Sequence, residues 1–223
     1  MVAIVPNDRS KFEWAFGRVV GSRMPPPRPA RPALRERYDR RQAQVVLDAA
    51  RVFAQRGYDQ TSVPQLAEEL GIAAGSLYHY FGGKEQLLIA ICDQLMDPLL
   101  GEAEALLARE DGDAGALLRA LVRLWVGHVI AHRDHMLVFL QERHVIDHGE
   151  QWAEVRRSRK RFEVLVEGLL RTLVVEGRVR VGDERLALSA LLGMVNHTAQ
   201  WYRPRGRLDA GAIADGYVDL VLA

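Results

Sequence analysis

The sequence lacks the residues on which disulfide-linked and cysteine-rich metal proteins depend. Among its 223 residues there is one cysteine, Cys92, which excludes an internal disulfide and a cysteine-rich zinc site. No apolar run in the sequence approaches the length of a signal peptide or a membrane-spanning helix. We therefore expect a soluble protein in the reducing cytoplasm, without a membrane partner.

Signatures of common enzyme classes are also missing. The sequence contains neither a G-x-S-x-G nucleophile motif nor an H-E-x-x-H zinc motif, and Cys92 lies in an apolar segment where a thiol is inert. There is no internal repeat, and no segment alternates in hydrophobicity as a strand does. These absences favour an all-α protein that is not an enzyme, and no cofactor is expected.

Positive charge is distributed unevenly along the chain. The formal net charge is only +1, which says little about partners. Residues 28–56, however, contain eight arginines against three acidic residues, a local net charge of +5. A basic stretch of this kind favours contact with a polyanion such as nucleic acid.

The segment 61–84, TSVPQLAEELGIAAGSLYHYFGGK, has the spacing of a helix-turn-helix. Ser62 and Gln65 form a capping box that starts one helix, and Gly71 ends it. Ala67 is small enough for the second helix to cross the first closely. The second helix presents small, hydrogen-bonding and aromatic side chains, which suit the major groove of DNA.

Helical periodicity extends from residue 40 to the C-terminus. After the helix-turn-helix, a long helix is expected over 84–108, with a kink at Pro98, so that it connects two parts of the chain. Nine helices are predicted in all, over 40–56, the two helix-turn-helix segments, 84–108, 114–132, 136–146, 150–176, 184–202 and 209–222. The predicted fold is all-α, with an N-terminal three-helix helix-turn-helix domain followed by a C-terminal helical bundle.

The first 37 residues lack helical periodicity and include the segment MPPPRPARP. Prolines favour extended geometry, so we expect residues 1–37 to form a flexible tail, in which Met24 is an alternative start of translation. The arginines at 28, 31, 35 and 37 either contact DNA phosphates or remain solvated. The predicted domains are thus this tail, a DNA-binding domain over 38–84 and a C-terminal helical domain over 85–223.

The residues AARVFAQRGYDQTSVPQLAEELGIAAGSLYHYFGGKEQLL resemble the DNA-binding segment of the TetR family of bacterial repressors. The matching features are the GY turn, the Thr-Ser start, the glycine turn, the LYHYF core and the Lys-Glu opening of the next helix. The resemblance implies an all-helical homodimer of nine helices. The first three would bind a palindromic operator. The others would make residues 85–223 an effector-binding and dimerisation domain, which contacts a small effector and the partner subunit.

Carried over residue by residue, the DNA contacts of the family fall on seven positions of this sequence. Tyr78 can donate to a phosphate, and Lys84 adds positive charge at the start of a helix. Ala74 and Gly75 cannot hydrogen-bond a base, so specificity would rest on thymine methyl groups and DNA shape. The predicted DNA-binding residues are Ser62, Ala74, Gly75, Ser76, Tyr78, His79 and Lys84. Phe81 is assigned to the core, and Tyr80 is left open between core and surface.

The C-terminal segment GMVNHTAQWYRPRGRLDAGAIADGYVDL resembles a narrower branch of that family, the repressors of steroid-ring and fatty-acid breakdown that respond to acyl-coenzyme A thioesters. Coenzyme A needs basic groups for its phosphates, which the runs 156–161 and 203–207 could supply, and an apolar channel for its acyl part. A charged run on a helix is, however, more often a solvated face. The predicted effector-pocket residues, for which a plain core role is the alternative, are Trp125, His128, Phe139, Phe162, Met194 and Trp201.

Two further features bear on partners. Small residues beside large apolar ones in the last two predicted helices favour close packing between subunits, and hence a homodimer.

Histidines at four-residue spacing permit a metal site, which would make the protein a metal-responsive regulator or a metal-dependent hydrolase. The residues of that alternative site are His128, His132, His144 and His148, with Asp134, Glu142 and Asp147 as additional ligands. Histidines near helix ends are, however, commonly caps or surface residues.

Overall fold

The computed structural model describes residues 32–109 and 112–223, and helices account for most of them. In these two ranges the only pairing of β type is a single bridge between Val179 and Leu222, so the all-α class is confirmed. A short 3-10 turn, Glu150–Trp152, precedes the eighth helix. The helices are α1 Pro32–Arg56, α2 Val63–Glu69, α3 Ala74–Phe81, α4 Lys84–Arg109, α5 Ala114–Ala131, α6 Arg133–Gln141, α7 Arg143–Ile146, α8 Ala153–Val175, α9 Glu184–Trp201 and α10 Ala210–Val221.

The first helix begins at Pro32, well before the start predicted near residue 40. Proline suits the first turn of a helix, because the N–H that it lacks would have no partner there. The five residues that follow, ALRER, are good helix formers, so residues 32–37 belong to α1 and not to an extended tail. Residues 1–31, with Met24 and the rest of the predicted tail, lie outside the described residues.

The helix predicted over 136–146 is interrupted at Glu142, whose backbone angles are φ −95° and ψ 16°. This interruption separates α6 from α7, so the described part of the chain has ten α-helices where nine were predicted. Neither proline nor glycine marks the break in the sequence. Apolar periodicity continues across it, which is why the sequence predicted one helix.

The fifth helix lies at the centre of the C-terminal bundle, packed against α8, α9 and α10. Its 18 residues have a mean hydropathy of 1.4, long and apolar enough by composition to cross a membrane. The prediction that no run reaches such a length was therefore wrong. Half of this stretch is buried inside the fold, with Leu118, Leu121 and Val126 fully enclosed, so its composition fits a core helix.

The fourth helix connects the helix-turn-helix to the bundle, as predicted. It packs against α1 and α3 on one side of the molecule and against α5, α6 and α8 on the other. The helix continues through Pro98, and the kink expected there stays a prediction. Cys92 is fully buried in α4, and burial raises the pKa of its thiol, which agrees with the inert role expected.

Candidate nucleic-acid interface and ligand cavity

The predicted capping box forms at the start of α2. The backbone N–H of Ser62 donates to Gln65 Oε1 at 2.9 Å, and the backbone N–H of Gln65 donates to Ser62 Oγ at 3.4 Å. At the other end Gly71 has φ 61°, and the Ile72 N–H donates to the Ala67 carbonyl at 3.0 Å. These contacts close the tight turn that directs the chain into α3.

The third helix buries one side and exposes the other. Leu77 and Phe81 are buried, and the helix ends on Gly82, whose φ of 73° only glycine adopts without strain. Tyr78 is 50% exposed. Of the other predicted DNA contacts, the exposed ones are Ser62, Gly75 and His79, and the half-buried ones are Ala74, Ser76 and Lys84.

Tyr80 is part of an aromatic cluster that ties α3 to α1. Its ring centroid lies 5.0 Å from that of Tyr38 and 6.2 Å from that of Phe81. The ring of His79 also meets Tyr38, edge to face at 6.0 Å. Tyr80 is half-buried in this cluster, so it contributes to the packing of α3 on α1.

Lys84 opens α4 and contacts the turn after α1. Its Nζ lies 4.0 Å from the centroid of the Tyr58 ring, a cation–π contact. Burial lowers the pKa of Lys84, an effect opposed by Asp59 and Glu142, while burial raises the pKa of Tyr58 to about 12. The sequence predicted a phosphate contact for Lys84 but did not indicate Tyr58 as its partner.

A cavity of about 440 Å³ lies between α4, α5, α6, α8 and α9. Four of the six predicted pocket residues line it, namely Trp125, His128, Phe139 and Phe162. Met194 and Trp201 do not. They are seven residues apart and so share one face of α9, whereas the wall uses another face of the same helix, formed by Ser189, Leu192, Gly193, Asn196, His197 and Gln200.

The cavity has an apolar wall and a polar wall. Trp125 and Phe162 meet edge to face with their centroids 4.9 Å apart. On the polar side, Asn196 Oδ1 is buried and has no hydrogen-bond partner within the described residues. Arg143 and Arg159 also line the cavity, and neither was among the predicted pocket residues.

The two arginines of the wall already have acidic partners. Arg159 lies 2.8 Å from Asp147 and 3.7 Å from Glu163, and Arg143 lies 3.4 Å from Asp147. Although burial alone raises the pKa of Asp147, these two cations lower it overall. Of the basic run 156–161 only Arg159 reaches the cavity, and the loop 203–207 is exposed and away from it.

The four-histidine metal site does not form. His128 Nε2 lies 2.8 Å from the Leu95 carbonyl oxygen, to which it can donate, and its ring packs on that of His132 at 4.3 Å. His144 and His148 follow the break between α6 and α7, and within the described residues neither forms a set of potential metal ligands with His128 or His132. The one set of three potential ligands found within the described residues contains His144 alone of the four, together with Asp59 and Glu142.

Comparison with known families assigns the chain. Residues 46–91 match the family described as bacterial regulatory proteins, tetR family. Residues 111–223, about half of the chain, match the tetracyclin repressor-like C-terminal domain. The chain belongs to the TetR family. Its two matched regions correspond to the helix-turn-helix with the start of α4, and to the bundle that holds the cavity.

Relatives of this TetR family chain are transcriptional regulators. The HTH-type transcriptional repressor KstR2 of Rhodococcus jostii is 30% identical over 183 residues, which cover 82% of this chain and 89% of that protein. The solved regulator PfmR of Thermus thermophilus has a TM-score of 0.70 and 31% identity, over 80% of this chain and 97% of its own. AibR, solved with isovaleryl coenzyme A and operator DNA, has a TM-score of 0.68 and 28% identity, over 81% and 97%. The chain is therefore a TetR-type transcriptional regulator and not an enzyme.

Proposed function

We propose that this protein is a cytoplasmic, homodimeric repressor that leaves a palindromic operator when an acyl-coenzyme A thioester enters the cavity. The observation that carries the proposal is the cavity of about 440 Å³, since α4 forms both part of its wall and the connection to the helix-turn-helix. Its volume lies within the range of ligand pockets. AibR, which has a similar fold, was solved with a ligand of this class and with operator DNA.

The two walls of the cavity suit the two ends of such a ligand. Trp125, Phe139 and Phe162 offer an apolar surface to an acyl chain. The unpartnered oxygen of Asn196 needs a donor, and the amide N–H groups in the pantetheine arm of coenzyme A supply one. A fatty-acid anion has no N–H donor, so this oxygen favours the thioester over the free acid.

A homodimer through α9 and α10 is supported by what these helices leave exposed. The inner side of α10 packs on α5, so its outer side is available to a partner. Large apolar residues such as Leu186 and Leu220 are 57% and 66% exposed, beside small residues that permit close helix approach. The exposed small and apolar residues of these helices that do not line the cavity are Leu186, Ala190, Trp201, Ala212, Gly216 and Leu220.

In a dimer, ligand binding in the cavity can change DNA binding by changing the spacing of the two α3 helices. Two α3 helices must enter successive major grooves about 34 Å apart to bind one palindromic site. Leu95, Met96 and Leu99 of α4 face the cavity, whereas Lys84 at the start of α4 lies beside the helix-turn-helix. A ligand that binds more tightly to a form with a different α4 position shifts the population away from DNA.

Calorimetric titration with isovaleryl coenzyme A tests the ligand class, with free coenzyme A and isovalerate as comparisons. We expect the thioester to bind more tightly than either fragment. Asn196→Leu should weaken its binding by about tenfold, because one hydrogen bond to a buried group is lost. Ser189→Ala is the matched control, since the Ser189 hydroxyl already donates to the Arg185 carbonyl at 2.8 Å.

Two outcomes would reject the thioester. If isovalerate binds as tightly as isovaleryl coenzyme A, the ligand is a carboxylic acid. If neither isovaleryl coenzyme A nor thioesters of longer acyl chains bind, the ligand belongs to another class.

A further inference from the structure

We propose that a divalent transition-metal ion, for which Zn²⁺ is the probe, binds between Asp59, Glu142 and His144. One potential ligand atom from each of these residues lies within 4.8 Å of the other two. The site joins the turn after α1 to the break between α6 and α7, so it spans the helix-turn-helix and the bundle. It does not depend on the acyl-coenzyme A proposal, because none of the three residues lines the cavity.

The fold explains why three residues distant in sequence converge. Helix α1 packs along α6, so the turn that follows α1 comes close to the end of α6. Residues two apart in a continuous helix face different directions, which would separate Glu142 from His144. The interruption at Glu142, with φ −95° and ψ 16°, removes that restriction and lets both side chains reach Asp59.

The observation that points to a ligand is an oxygen without a partner. Glu142 is only 6% exposed, and its Oε2 makes no hydrogen bond within the described residues. Burial and Asp59 raise the pKa of this carboxyl, whereas His144 and a hydrogen bond from the Tyr58 backbone N–H lower it. Lys84 also lowers the pKa of Glu142, but the Lys84 ammonium lies over the Tyr58 ring. A buried carboxylate in this position is costly unless a cation or a donor satisfies it.

The donor set indicates the kind of cation. Imidazole and carboxylate groups together suit Zn²⁺ and neighbouring transition metals, whereas Mg²⁺ and Ca²⁺ prefer oxygen ligands alone. Zinc bonds to these groups are about 2.0 to 2.2 Å long. The three ligand atoms, which now lie within 4.8 Å of one another, must therefore move somewhat closer together to bind one ion. Asp59 and His144 are exposed and can rotate to do so, while Glu142 is held by burial.

Calorimetric titration of Zn²⁺ into the full chain, prepared without a histidine tag and treated with chelator, tests the site. We expect one Zn²⁺ per chain, and at least about tenfold weaker binding in both Glu142→Gln and His144→Ala. His148→Ala is the matched control, since His148 is exposed, four residues from His144 and outside the set. It should bind Zn²⁺ as the unmodified chain does.

The proposal is overturned if the unmodified chain takes up no Zn²⁺, or if His144→Ala binds it as well as His148→Ala does. Glu142 is buried, so its variant is first checked for an unchanged circular dichroism spectrum without metal. If Glu142→Gln does not fold, Asp59→Asn takes its place, because Asp59 is exposed and its replacement leaves the core unaltered. Equal affinity in Asp59→Asn and the unmodified chain would then count against the site.

Discussion

For single residues, Gly71 and Gly101 illustrate two opposite effects of glycine on the stability of the folded state. Gly71 follows α2 with φ 61°, and Gly101 lies inside α4. A methyl group added at either position meets no heavy atom within 4 Å, so packing does not distinguish them. The difference lies in the backbone, because the left-handed region strains every residue with a Cβ atom.

We predict that Gly71→Ala destabilises the protein by about 1 to 2 kcal/mol through backbone strain. Gly101→Ala should stabilise it by about 0.5 to 1 kcal/mol, because alanine is the better helix former. The free energy of unfolding, measured at one protein concentration for both variants, gives the comparison. Changes of the same sign would contradict the conformational argument.

Tyr78 is a 50% exposed residue of α3 and one of the predicted DNA contacts. We predict that Tyr78→Phe lowers the affinity for all DNA sequences by about tenfold, without changing the preference among them, because the lost contact is to a phosphate. Tyr217→Phe is the control. The Tyr217 hydroxyl lies 2.9 Å from Thr198 Oγ1 in the bundle, far along the chain from α3. Equal DNA affinities in the two variants would remove Tyr78 from the interface.

At the scale of elements, the corner between α5 and α6 holds three histidines that resist protonation. Burial lowers the pKa of His135 to about 4, with His132 and His128 adding like-charge repulsion. The unfolded chain binds a proton at this residue below about pH 6.5, but the folded chain does not until about pH 4. His135 therefore destabilises the folded state increasingly as pH falls from about 6.5 to 4.

We predict that His135→Gln loses less stability than the unmodified chain over this pH range. Glutamine can keep the contact that His135 makes with Gln94 Oε1 at 3.3 Å. Burial, together with Asp97, raises the pKa of Asp93 to about 6, and this carboxyl stabilises the folded state as pH falls, in the opposite sense. The test is therefore the difference between the unfolding free energies of the two proteins at each pH. A constant difference from pH 7 to 4 would contradict the prediction.

Most helices could be predicted from the sequence, because their starts and ends carry local signals. Ser62, Asp113, Asp183 and Asp209 each accept a backbone hydrogen bond at a helix start, and each is a residue type that favours this position. The break at Glu142 carries no such signal. Its cause lies in tertiary packing, where the side chain is buried at the junction with the turn after α1.

The candidate cavity was predicted in part for a similar reason. Aromatic residues of α5, α6 and α8 line the cavity, since large side chains on core helices face inward. Met194 and Trp201 were expected there because they are large and apolar, but the face that α9 turns to the cavity is the one with Asn196. Rotation of a helix about its axis is set by its neighbours, which a single helix sequence does not reveal.

At the scale of the whole molecule, dimerisation determines whether two reading helices can act on one site. We predict that Leu220→Glu, on the outer face of α10, produces a monomer with weakened operator binding. Leu47→Glu on α1 is the control, since Leu47 is likewise exposed, 46% against 66%, but lies in the helix-turn-helix unit. Sedimentation equilibrium distinguishes the two species. A dimer in Leu220→Glu would place the subunit interface elsewhere.

If occupancy of the cavity controls DNA binding, a ligand should release the protein from its operator. Fluorescence anisotropy of a labelled fragment from the protein's own promoter region, compared with a random fragment of equal length at fixed salt, tests this. We predict a salt-sensitive preference for the promoter fragment and its loss on addition of isovaleryl coenzyme A, with Asn196→Leu requiring about tenfold more ligand. Equal affinity for both fragments, or promoter binding unaffected by every acyl-coenzyme A thioester tested, would contradict it.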